Sequence, residues 1–333
     1  MPLGALGMLG MLCLPISGCG SVAPPSSAQD RLANGQAESG TRLLDRIWQA
    51  DPGRFIDNDA LLAQARSSRI VLLGETHDNL AHHAWQNRVL AVLAAQQPAP
   101  ALVMEQFDLE QQPAIDSILR SDKPAETRAA LLLALMPDGW NKAGYRSLLE
   151  TASRYRLPVV AGNLSRASLR TVSRDGFDAL GAGEALRLGL DHRGTWQPAQ
   201  QQALETDVAE GHCGMLPVSA IGAVARAQRA RDAVLADRML TAANRPGQPG
   251  VVAILGRGHV RRDLAVPLYL TLRTPELTVL VVDFDEVTDD RIAPDYATGT
   301  LGKRYDVVVF SPAVERADDP CKELRGPRSE ASK

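Results

Sequence analysis

The stretch Val71–Gln86, VLLGETHDNLAHHAWQ, decides how this chain is read. Ile70 to Leu73 is a short apolar run without alternation, closed by Gly74, which suits a parallel strand buried on both faces. A polar cluster follows at once: Glu75, His77, Asp78, His82, His83 and Gln86. Asn79 to Gln97 then reads as a helix rich in Ala and Leu, with Asp78 or Asn79 able to cap its start. The cluster therefore sits at the carboxyl end of a central strand and on the first turns of the next helix. In open α/β sheets ligands bind at that edge.

Spacing sharpens this reading. Glu75 and His77 leave the strand two residues apart and can share a side. His82 and Gln86 are four apart and share a helix face. His83 points about 100° away from His82, so one of the two is expected to face the cleft while the other packs or meets solvent.

Working outward, the same kind of run recurs at Ala101–Glu105, Pro158–Ala161, Val251–Leu255, Val279–Asp283 and Asp306–Phe310. Helical stretches separate them. The expected fold is α/β, a mainly parallel central sheet with helices on both faces. Phe107 to Tyr155 is long for one crossover and reads as a helical subdomain, about 107–155, or a lid over the cleft. Parallel strands bring Gly74-Glu75, Glu105-Gln106, Gly162-Asn163 and Gly256-Arg257-Gly258-His259 toward one edge. In the helix Ser219–Asn244, Gln228 and Asp232 interrupt an apolar stripe, with Arg231 beside them. A lone buried carboxylate costs several kcal/mol unless it is paired, so this turn is expected at the polar cleft; an Arg231–Asp232 salt bridge to another helix is the alternative.

The converging candidates are His77, His259, Glu75, Glu105 and Arg231. Three chemistries suit them. A divalent metal such as Zn or Mn, on Glu75, His77 and His259, could activate water. A metal-free hydrolase could use a His or Glu as general base. A haem site needs an axial His or Tyr, apolar walls and cations for the propionates. Asn163 and Arg166 after the third strand can hold an anionic group. His212, in HCGMLP, is a candidate ligand or a helix cap.

The remaining sequence sets the context. Net charge is −3, with 23% charged and 45% hydrophobic residues, and nothing points to nucleic acid. Residues 1–18 read as a signal peptide, too short and Gly-rich for a membrane span. Ile16-Ser17-Gly18-Cys19 resembles the lipobox of bacterial lipoproteins, which implies lipid on Cys19 and a membrane anchor. No Lys or Arg precedes the apolar run, a departure from the pattern. Residues 19–40 read as a flexible tether, 41–315 as one α/β domain, and 316–333 as a charged, frayed tail. Cys213 and Cys321 remain in the mature chain and could pair.

Glu75-Thr76-His77 after Gly74, then His82-His83 and Gln86, resembles the signature of the ChaN-like haem-binding lipoproteins. That family shares a superfamily with the Tiki and TraB proteins and the erythromycin esterases. A second G-x-x-H at Gly256–His259, Gly139-Trp140 with Tyr145, and His212-Cys213-Gly214-Met215-Leu216-Pro217 extend the resemblance over about Ile70–Pro267. It implies a surface-anchored lipoprotein, in the outer membrane with its body in the periplasm or at the surface, that binds haem without a covalent bond and serves iron uptake. An outer-membrane haem receptor and a second copy of the chain are candidate partners. Tyr145 is the first expectation for the axial ligand, since a phenolate suits ferric iron; His212 and the pair His82 and His83 are the alternatives. The superfamily also implies the alternative of a metal-dependent hydrolase using Glu75, His77, Glu105, Arg231 and His259.

Overall fold

A computed structural model describes residues 42–191, 196–288, 304–316 and 321. The signal-like segment, Cys19 and the tether lie outside the described residues.

Eight strands form one sheet: β1 (Ile47–Gln49), β2 (Arg54–Ile56), β3 (Ile70–Glu75), β4 (Ala101–Asp108), β5 (Val159–Asn163), β6 (Val251–Gly256), β7 (Val279–Val287) and β8 (Val307–Pro312). Their order is β2-β1-β8-β7-β3-β6-β4-β5. The last six of that order run parallel, and β1 and β2 add an antiparallel edge at β8. The six parallel strands are those read from the sequence, each a residue or more longer at the carboxyl end.

Both faces of the sheet are covered, which is why β3 is buried along its whole length. Alternate residues enter different cores. Ile70, Leu72, Ala101 and Val103 pack with Ala233, Leu235 and Met239 of a 26-residue helix, α9 (Val218–Ala243). Val71, Leu73, Leu102 and Met104 pack on the other face. Their partners come from α1 (Asn58–Ser67), α2 (Leu80–Ala94), α4 (Ala125–Leu135) and α5 (Lys142–Arg154). Each fully buried aliphatic side chain in these layers contributes about 1.5–3 kcal/mol relative to exposure.

The region 107–155 is therefore not a lid. With α3 (Gln112–Arg120), its helices form part of a regular layer, and of this region Asp108 at the end of β4 and the loop around Pro137–Trp140 line the cleft. Completing the fold are α6 (Arg166–Asp175), α7 (Glu184–Arg187), α8 (Pro198–Gly211) and α10 (Val266–Arg273). The tail is not frayed where it is described. Arg316 pairs with Asp78 and Glu286, and Cys321 is disulfide-bonded to Cys213 with Cα atoms 5.5 Å apart.

Candidate functional site

The pleat of the sheet aims the site residues. Glu75 continues the row of Val71 and Leu73, so its carboxylate turns toward α2 and α5. Glu105 continues the row of Ala101 and Val103 and turns toward α9, while Gln106 turns back to Glu75.

Glu75 is buried and anchors the first half of the site. Its Oε1 accepts from His77 Nδ1 at 2.9 Å, from the Tyr145 hydroxyl at 2.5 Å and from Gln106 Nε2 at 3.1 Å. Its Oε2 lies 3.2 Å from His83 Nδ1. Burial would raise the Glu75 carboxyl, but the hydrogen bonds to His77 and His83 outweigh it and hold it down at about 2. Burial likewise works against the charged forms of His77 and His83, yet the bond to Glu75 raises both. Two close approaches depend on missing side chains. A Cβ on Gly144 would come within 2.6 Å of the His83 ring, and one on Gly256 within 2.8 Å of the His77 ring. The glycine of the second G-x-x-H thus makes room for the histidine of the first.

The second half is built on β4, α9 and the turn after β6. His259 Nδ1 lies 2.6 Å from Asp232 Oδ1 and within reach of the Gln228 amide at 3.1 Å. Burial lowers His259 to about 4 and pushes Asp232 well up, so burial works against the charged form of each partner. Asp232 pairs with His259, not with Arg231. Glu105 sits between the halves, its Oε1 3.5 Å from His77 Nε2 and its Oε2 3.6 Å from His259 Nε2. That Oε2 is buried and makes no hydrogen bond among the described residues.

A cavity of about 570 Å³ opens above this floor. His77, Asp108, Pro137, Trp140, Asn163, Leu164, Arg166, Leu169 and Arg231 line it. His77 has 47% of its side chain exposed and meets Trp140 edge-on at 4.7 Å. Arg231 Nε and Asn163 Oδ1 are buried in the wall without a hydrogen-bond partner among the described residues. Burial and the charge of Glu110 raise Asp108, against the pull of Arg231 and Arg166.

The structure thus brings Glu75, His77, Glu105, Arg231 and His259 to one strand edge, with Asn163 and Arg166 on the cavity wall. Other expectations fail. His82 and His83 are both buried, and neither lines the cavity. His82 is held by Ser311 and the Thr76 backbone N–H, and burial lowers it to about 4. Tyr145 is wholly buried; burial and the nearby Glu75 carboxylate raise its hydroxyl far above the usual range, so it stays a phenol and offers no phenolate. His212 caps α8 through Nδ1 and the Val208 carbonyl and does not line the cavity. Glu75, His77 and His259 do not form a metal cage: Glu75 Oε1 is taken by His77, Tyr145 and Gln106, and its Oε2 faces His83. Among the described residues no group of three or more His, Cys, Asp or Glu is placed to hold a metal ion. Asp108 and Arg316 are the site neighbours that the sequence did not flag. Asp108 lies three residues beyond Glu105, a spacing that continued strand pairing with Asn163 would have exposed.

The family model described as haem-binding uptake, Tiki superfamily, ChaN matches residues 61–270. The chain belongs to this family. Among solved structures, one described as cofacial heme binding to ChaN of Campylobacter jejuni superposes with a TM-score of 0.63 at 15% identity, over 79% of this chain and 95% of that one. At that identity it supports the ChaN-like fold alone. A succinoglycan biosynthesis protein (TM-score 0.46, 11% identity, 87% of this chain and 98% of that one) is more distant. So is an erythromycin esterase mutant in its open conformation (TM-score 0.42, 14% identity, 83% and 99%). No curated protein matches the chain.

Proposed function

We propose that the protein binds haem non-covalently in the cavity above Glu105, with His77 as the residue that meets the iron. One observation carries the reading. The only imidazole lining the cavity among the described residues is half exposed and has its Nδ1 held by a buried carboxylate. A hydrogen bond of this kind fixes the tautomer and leaves Nε2 as the ligating atom. The rest of the wall suits the same cargo. Trp140, Leu164 and Leu169 supply apolar surface, Arg166 and Arg231 supply cations for propionates, and the volume lies in the usual range for ligand sites. Membership of a haem-binding uptake family supports the assignment. We place the protein on the membrane as a lipoprotein serving haem and iron uptake, supported by the Ile16–Cys19 pattern and the family description. Among the described residues no helix is long and apolar enough to cross a membrane. Titration of the purified chain with ferric haem tests the reading: a shifted, saturable Soret band is expected at micromolar concentration, weakened in Arg166→Ala and Arg231→Ala.

A second reading, ester hydrolysis without a metal, is favoured by one feature. Two carboxylate-backed imidazoles, Glu75–His77 and Asp232–His259, aim Nε2 at the same buried carboxylate. Such an array can move protons, which carriage of haem does not require. Hydrolysis of a chromogenic ester that disappears in His259→Ala, with no haem bound, would favour it.

A further inference from the structure

The C-terminal segment touches the site loop at one place and is tied down at another. After β8, the backbone N–H of Ala313 donates to the Val287 carbonyl at 3.2 Å. Three residues later Arg316 spans two carboxylates. It donates to Asp78 at 2.7 and 2.6 Å and to Glu286 at 2.9 Å through each of two nitrogens. Asp78 is the neighbour of His77. Glu286 also accepts from the Asn79 amide at 2.8 Å, and Asn79 caps α2. The Asn79 amide donates to the Pro312 carbonyl as well, at 3.0 Å. So the loop that carries His77 rests on the end of β7, the end of β8 and the Arg316 guanidinium. Five residues beyond Arg316, Cys321 is covalently joined to Cys213 in the turn between α8 and α9.

These contacts are unequal. Pro312, Ala313 and Glu315 are exposed, so this stretch buries little apolar surface. The Arg316 pairs are partly solvated, and pairs of that kind contribute little on their own. A covalent tie a few residues away changes this, because it keeps Arg316 at high effective concentration beside Asp78 and Glu286. The disulfide closes a span of 108 residues and does so at the α8–α9 turn.

We propose that Ala313–Arg316 is a strap whose Arg316 positions the His77 loop at the cavity rim, that the Cys213–Cys321 disulfide five residues along the chain holds this strap in place, and that reduction of the disulfide releases it. The step balances with a dithiol reductant. Two electrons and two protons pass to the protein, the Cys213–Cys321 S–S bond breaks, two thiols form, and the reductant closes its own disulfide. Arg316 is a positioning residue: it acts through Asp78 and touches no ligand. Loosening the loop would free His77 from its fixed orientation and speed release of whatever the cavity holds. Only this last consequence rests on the haem reading.

Hydrogen–deuterium exchange on the full chain tests the strap without haem. The reporters are the amides of Thr76, Asn79, Ala81, His82 and His83, whose acceptors belong to this loop and cap. Four samples are compared: oxidised protein, protein reduced with dithiothreitol, Cys321→Ser, and Arg316→Gln with its disulfide intact. The expected result is exchange at least about tenfold faster in the last three, with β1 and β2 unchanged. Unchanged loop exchange on reduction and in Cys321→Ser overturns the proposal. So does acceleration spread evenly over the sheet, which would make the disulfide a general staple. Acceleration in Arg316→Gln alone also overturns it, since the disulfide then holds nothing at the loop. Where haem binds, its dissociation should quicken in the same three samples. Absence of haem binding would sink the functional reading and leave the exchange result standing.

Discussion

Replacing Glu75 by Gln removes the charge that organises the site and leaves its volume unchanged. The carboxyl falls from an ordinary 4.5 to about 2 in the folded protein. Each unit is worth about 1.4 kcal/mol, so the ionised form contributes about 3 kcal/mol to stability at neutral pH. The group is fully buried, so solvent screening does not reduce this much. The sign is fixed by the direction of the shift. A lowered carboxyl stabilises fully above about 4.5 and loses that stabilisation as pH falls toward about 2. His77 and His83 are raised from 6.5, so their share is complete below that pH and fades as pH rises through their folded values. Both describe one interaction and are counted once. Glu75→Gln should therefore unfold more easily than the parent by about 3 kcal/mol near pH 6 in urea titrations, and the gap should shrink at pH 3. NMR titration should show the His77 value dropping. A loss under about 1 kcal/mol at pH 6, or a gap independent of pH, would refute the reasoning.

Gly144→Ala gains helix propensity of about 1 kcal/mol, yet its Cβ would press on the His83 ring; overpacking costs about 1–3 kcal/mol, so a lower melting temperature is expected, and an unchanged or higher one would contradict the packing. Cys19→Ser should yield a chain without lipid, released from the membrane fraction; unchanged membrane association would remove the lipoprotein proposal.

Much of the sheet could be read because parallel strands buried on both faces leave unbroken Val, Ile and Leu runs. The edge strands β1 and β2 escaped notice, since three residues each carry no usable period and owe their form to pairing with β8. The interruption of the α9 stripe by Gln228 and Asp232 was a true signal, because a buried carboxylate needs a partner, and the partner is His259. What failed was direction. Nothing in the spacing of His82 and His83 reveals that Gly144 opens a space for one ring or that Ser311 waits for the other. Tyr145 stood out in an aromatic-poor chain, but its identity could not tell a ligand from a phenol that braces Glu75. Arg316 looked like part of a solvated tail, because a surface run and a strap have the same composition.

If His77 holds haem in the cavity, a ferric-haem titration of the parent chain should give a saturable Soret shift at micromolar concentration, and the same titration of His77→Ala should differ from it. Binding should weaken at least about tenfold in His77→Ala. It should also weaken as pH falls through the raised His77 value, where a proton competes for Nε2. No shift with the parent protein, or an identical spectrum and affinity in His77→Ala, would contradict this role of His77.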